Sequence, residues 1–139
     1  MLRFLFDTDH LTLYQHRQPQ LMQRIVLQPP DAVGISAVTA EESLRGRLVS
    51  LAQARNASRR IVRYRYLLES LDLLSQSLLV LYDQASENHF QHLRSLRLNV
   101  GSQDLKIGAV ALANNVILLT RNRRDFGRIP GLRIDDWSV

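Results

Sequence analysis

The sequence predicts an α/β fold: a central parallel sheet of four to five strands flanked by helices. Two observations carry that reading. Short, nearly continuous apolar runs recur at residues 2–6, 32–36, 78–81 and 116–120. Runs of that length are how strands buried on both faces of a sheet read, and they are too short for helices. Between them lie stretches with apolar residues at helical spacing, and strands alternating with helices imply a parallel sheet. With 139 residues and no internal repeat, low-complexity tract or linker, the chain reads as one domain over 1–139.

The elements follow in order. The first strand runs directly into Asp7, and a short helix is expected over 9–16, with Leu11 and Tyr14 on one face. Gln18-Pro19 breaks it, and Pro19 opens a second helix carrying Leu21, Met22, Ile25 and Val26. After the Gln28-Pro29-Pro30-Asp31 loop comes the second strand, and from Ser36 a helix begins. Beyond Gly46, Leu48, Leu51, Ile61, Leu68 and Leu71 keep a helical interval, which two antiparallel helices turning near Asn56-Ala57-Ser58 would explain. A third strand is expected within 77–82 and a helix over 85–98. Ser102 is the expected N-cap of a helix over 103–114, whose small apolar body suits close packing on a sheet. The fourth strand, a loop or short helix over 121–127, and an edge strand over 132–134 complete the chain.

Composition narrows the function classes. There is no cysteine, which excludes disulfides, zinc–thiolate sites and thiol nucleophiles. No apolar run spans a bilayer and no signal peptide opens the chain, so a cytoplasmic setting away from membranes is the expectation. Net charge is +5 and the isoelectric point about 10.4, with Lys106 the single lysine. Nearly all the positive charge is therefore arginine, whose planar fork suits phosphate, although a general preference for arginine gives the same count.

Acidic residues fall next to element ends. Asp7 ends the first strand, Glu42 lies early in the helix after the second, Asp104 opens the helix before the fourth, and Asp125 follows that strand. Carboxyl ends of parallel strands are where open α/β sheets place ligands. Each acid also has a structural reading: Asp7 as a helix cap, Thr39-x-x-Glu42 as a capping box, Asp104 on a helix dipole, Asp125 paired with Arg121 or Arg128. Together they suit a hard divalent cation, because carboxylates at close range repel unless neutralised. Such a site can activate water against a phosphodiester. There is no phosphate-binding glycine loop with lysine and no G-x-S-x-G elbow. His89 and His92 read as a solvated face, and His10 lies beside the first acid.

The motifs resemble those of the PIN-domain ribonucleases, specifically the VapC-type toxins of toxin–antitoxin pairs. Phe4-Leu5-Phe6-Asp7-Thr8-Asp9 is similar to their opening strand and first acid, and the 35–46 segment to their second motif, whose spacing selects Glu42 over Glu41. Gly101-Ser102-Gln103-Asp104 resembles the third motif, and 119–126 with 129–137 the closing segment. One departure stands out: where many members carry an acid two residues after the Thr, this chain has Asn122, and Asp125 is the candidate replacement.

The resemblance implies a single PIN-like domain and a Mg2+- or Mn2+-dependent endoribonuclease cutting structured RNA, often a transfer RNA. Asp7, Glu42 and Asp104 would hold the metal, with Asp125 completing the catalytic group. Thr120, Arg121, Asn122 and Arg124 would contact substrate, with Arg123 and Arg128 nearby. The implied partners are a VapB-type antitoxin and a second copy of the chain, giving a homodimer and a heterotetramer or larger with antitoxin. The competing function is a catalytically weak or silent RNA- or protein-binding module on the same fold, which Asn122 allows. The arginines between Arg45 and Arg65, with Tyr64 and Tyr66, fit an RNA grip, a solvated face or an antitoxin surface equally.

Overall fold

The computed structural model describes residues 1–139. Strands β1 (Phe4–Phe6), β2 (Val33–Ser36), β3 (Leu79–Val80), β4 (Ile117–Leu119) and β5 (Ile134–Asp135) form one parallel sheet in the order β3-β2-β1-β4-β5. Helices α1 (Thr8–Gln15) and α2 (Pro19–Ile25) carry the chain from β1 to β2, and α3 (Ala37–Ala52) and α4 (Ala57–Ser75) from β2 to β3. Helices α5 (Gln84–Ser95) and α6 (Ser102–Asn114) lead to β4, and the single turn α7 (Arg123–Phe126) precedes β5. The chain steps outward from β1 to β3, then re-enters beside β1 as β4. That reversal makes the carboxyl ends of β1 and β4 a topological switch point, where such sheets open a crevice.

Alternation along β1 divides the core between the two faces. Leu5 packs with Leu118, Phe90, Leu93, Leu105, Ile107 and Val110 under α5 and α6. Phe4 and Phe6 pack with Leu11, Leu21, Ile35, Leu74 and Trp137 on the other side. The small residues of α6 bring it close to its neighbours: a Cβ on Gly108 would lie 2.7 Å from Ile129 Cδ1. No helix is long and apolar enough to cross a membrane.

The helix after β2 runs on through Gly46 to Ala52, in keeping with the helical interval beyond that glycine. One glycine costs about 1 kcal/mol in a helix interior, less than the rest of the helix supplies. The turn falls where expected, with Asn56 Oδ1 accepting from Arg59 N–H to cap α4. Ser102 is not a cap. It is the first helical residue of α6, Gly101 holds the cap position, and no side chain caps that end. The third strand shrinks to two residues and the edge strand shifts to Ile134–Asp135, because only those residues reach ladder register with β2 and β4.

Candidate active site

Asp7 sits where β1 becomes α1. Its backbone N–H donates to Leu119 O on β4 at 3.1 Å, tying it to the switch point. Its side chain is buried, and Oδ1 accepts from His10 N–H at 2.7 Å. Asp7 is therefore the N-cap of α1 as well as the first acid of the cluster, so its two sequence readings hold together.

Glu42 reaches the same crevice from α3. The capping-box reading of Thr39-x-x-Glu42 is overturned: Ser36 at the end of β2 is the cap, its Oγ accepting from Thr39 N–H at 3.0 Å. Glu42 lies a turn further in, and its Oε1 accepts from Thr8 Oγ1 at 2.8 Å. Its neighbour Glu41 points outward, pairing with Arg45 and accepting from Gln103 Nε2 at 3.0 Å.

Asp104, half-buried in the first turn of α6, reports the convergence. A helix N-terminus favours a charged carboxylate and would lower its pKa. Instead the pKa is pushed up to about 6, first by burial and then by the charges of Glu42, Asp125 and Asp7. The structure thus brings the four predicted acids to one crevice.

The segment after β4 supplies the other wall. Thr120 is buried, its Oγ1 accepting from Asn122 N–H at 2.9 Å. Asn122 caps α7: its Oδ1 accepts from Asp125 N–H at 3.2 Å, and its Nδ2 donates to Asp125 Oδ2 at 3.1 Å. Asn122 is thus engaged in holding Asp125, the residue whose charge reaches Asp104. Arg121 does not pair with Asp125. Its Nε and Nη2 clasp both oxygens of Asp9 at 2.7 and 2.6 Å, while Arg128 Nη1 lies 4.0 Å from Asp125 Oδ1. Arg124 is exposed on α7.

Asp7, Asp9 and His10 also bring ligand-type atoms within 4.8 Å of one another. Both Asp9 oxygens are already bound by Arg121. The fully buried His10 accepts Trp137 N–H on Nε2 at 3.2 Å, so a neutral ring carries its proton on Nδ1 and offers no lone pair to a cation. The chemistry of the donors favours the four-carboxylate set, and oxygen-only donors suit a hard divalent ion. The structural roles of Thr8, Asp9 and His10 were not legible in sequence. Their partners Glu42, Arg121 and Trp137 are 34, 112 and 127 positions away.

No protein-family model matches the chain. Curated relatives nevertheless span it. The tRNA(fMet)-specific endonuclease VapC of Salmonella typhimurium is 29% identical over 99% of each chain. Ribonuclease VapC1 of Haemophilus influenzae is 25% identical over 97% of this chain and 98% of its own. Among solved structures, DNA-bound VapBC from Salmonella typhimurium aligns with a TM-score of 0.83 at 27% identity, covering 99% of each chain. VapBC-1 from nontypeable Haemophilus influenzae has the same fold, with a TM-score of 0.78 at 21% identity over 99% of this chain and 100% of its own.

Proposed function

We propose that this chain, a full-length homologue of the VapC ribonucleases, is a metal-dependent endoribonuclease: the toxin of a toxin–antitoxin pair, neutralised by a cognate VapB-type antitoxin. The observation that carries the catalytic part is the Asp104 carboxyl, raised to about 6 by burial and by Glu42, Asp125 and Asp7. A carboxyl raised by burial and by three neighbouring carboxylates marks a site that lacks positive charge.

Asp7, Glu42 and Asp104 would hold Mg2+ or Mn2+, with Asp125 adding its charge from α7. The bound ion would supply charge neutralisation and an activated water against an RNA phosphodiester. The chain's own residues supply the order. Thr8 holds one oxygen of Glu42 in a hydrogen bond and leaves the other without one. Asn122 holds one oxygen of Asp125, whose other oxygen lies 4.0 Å from Arg128. Arg121, oriented by Asp9, keeps guanidinium hydrogens for a substrate phosphate, and Arg124 is exposed on the following turn, whereas Thr120 is fully buried and acts through Asn122, whose N–H it accepts. Hydrolysis adds the water oxygen to phosphorus and breaks a phosphorus–oxygen ester bond. The proton lost by the water and the one gained by the leaving oxygen balance.

Structured RNA, with transfer RNA as the first candidate, is the substrate class, and a homodimer that binds antitoxin as a heterotetramer or larger is the assembly. A catalytically silent binding module is the second reading, favoured by the uncharged Asn122. The deciding experiment incubates purified wild type and Asp7→Asn with a transfer RNA pool, with Mn2+ or with EDTA. Cleavage by wild type with Mn2+ alone supports the ribonuclease. No cleavage under any condition, with RNA still bound, supports the silent module.

A further inference from the structure

Away from the acid cluster, one cleft holds an oriented arginine that forms no ion pair. Gln15 and His16 at the end of α1, Arg47 on α3, and Tyr66, Glu69, Ser70 and Leu73 on α4 line a cavity of about 320 Å3. Arg47 is half-buried in it. Its Nε donates to the buried Ser70 Oγ at 2.9 Å, and its guanidinium lies over the Tyr66 ring, 5.4 Å from the centroid. These contacts fix the fork's orientation while leaving both terminal nitrogens without a partner. The carboxylate that shares the cleft, Glu69, lies 3.7 Å from Arg65 instead, and Arg47 itself forms no ion pair. A partly desolvated cation is costly unless an anion answers it, and a guanidinium fork matches the oxygens of a phosphate.

The cleft's position favours RNA over protein. At the site end, Thr8 joins α1 to Glu42 on α3. Further along the same pair of helices, Gln15 and His16 meet Arg47. From Glu42 to Arg47 the rise is about 7.5 Å and the rotation about 140°, so a single strand leaving the acid cluster reaches Arg47 by bending round α3. The cleft is polar apart from Tyr66 and Leu73, and an aromatic face beside a basic group suits a backbone with splayed bases. The apolar stripe that would suit a protein helix lies elsewhere. Ile61, Tyr64, Leu68 and Leu71 are exposed on α4. They are out of phase by two residues with Arg63, Tyr66, Ser70 and Leu73, a rotation of about 200°.

We propose that the Arg47 cleft is a phosphate subsite for the RNA strand beside the cut, a proposal that rests on the ribonuclease reading. The test measures binding of a fluorescein-labelled oligouridine of about twelve nucleotides to intact protein in EDTA across a salt series. Arg47→Gln is expected to weaken binding about threefold to tenfold and to reduce the salt slope by about 0.7, one phosphate's share on a single strand. His16→Glu, on an exposed position where folding is not at stake, is expected to weaken binding likewise. Arg94→Gln, exposed on α5 away from the cleft, serves as the unchanged control, and melting curves verify folding. Wild-type affinity and slope in both test variants would overturn the proposal. So would a loss of polyglutamate binding with RNA binding intact, which would assign the cleft to a protein carboxylate. If wild type cleaves RNA, Asp7→Asn does not, and Arg47→Gln binds as wild type, the subsite alone fails. If wild type neither binds nor cleaves RNA, the ribonuclease reading fails with it.

Discussion

Glu41 and Glu42 are chain neighbours with opposite fates, because adjacent helical residues point about 100° apart. Glu42 turns to Thr8 and the crevice, and Glu41 to Arg45 and Gln103 on the surface. Glu42→Gln is therefore expected to lower kcat/KM on the order of a hundredfold or more, while Glu41→Gln changes it little. Cleavage rates at saturating and limiting Mn2+ check this, and equal losses would overturn the register. Asp104 gives a second expectation at this scale. Its folded pKa of about 6 exceeds the unfolded value of 3.8, so between these values the native state binds the extra proton. Its contribution to stability is full below about pH 4 and is lost as pH rises through about 6. In EDTA, Asp104→Asn should therefore melt higher than wild type at pH 7, with the gap closing toward pH 4. Solvent access to the half-buried group keeps the effect modest. Melting curves at both pH values, with and without Mn2+, test the sign.

At the scale of the element, α7 is one turn long and depends on its ends. Asn122 caps it and holds Asp125, so the residue that departs from the family pattern has a structural task. Asp125→Asn is expected to weaken Mn2+ binding and slow cleavage at limiting metal, and Asn122→Asp, which sets a second carboxylate against Asp125 in place of the Nδ2 donor, to lower stability in EDTA and to tighten the metal. Calorimetric titration of Mn2+ into both variants decides. Unchanged affinity in Asp125→Asn would reduce the site to three carboxylates. The other end of α7 is tight. A Cβ on Gly127 would stand 2.4 Å from Arg123 O, a backbone atom that cannot rotate aside. Gly127→Ala should cost about 1–3 kcal/mol in denaturant unfolding and lower activity by moving Asp125.

For the whole molecule, metal binding and stability are linked through the acid cluster. At a metal concentration a hundred times the dissociation constant, a ligand of the folded state alone adds about 2.7 kcal/mol. Wild type should therefore melt higher with Mn2+ than with EDTA. Asp7→Asn should lose most of that gain and yet be no less stable in EDTA, because an Asn Oδ1 can still accept the His10 N–H that caps α1 and one repelling charge is gone. An Asp7→Asn protein with a full Mn2+ shift would sink the proposed metal site.

Much of this protein was legible in the chain itself. A sheet strand buried on both faces must be apolar throughout, which marked β1 and β4. The change from apolar run to carboxylate marked Asp7 without any knowledge of its neighbours. The spacing of the motif that the chain resembles selected Glu42, Pro19 opened α2 as N1, and Asn56 marked the start of α4. What the chain could not declare are pairings across large separations, since periodicity and capping are local and carry no partner identity. That Asp9 takes Arg121, that Thr8 orients Glu42, that Ser70 fixes Arg47, and that Asp104 feels three other carboxylates were decided when parallel connections brought strand ends and helix starts to one edge. The Ser102 expectation failed for the same reason. A local cap signal is worth about 1 kcal/mol, and the packing of α6 against the rest of the fold outweighs it.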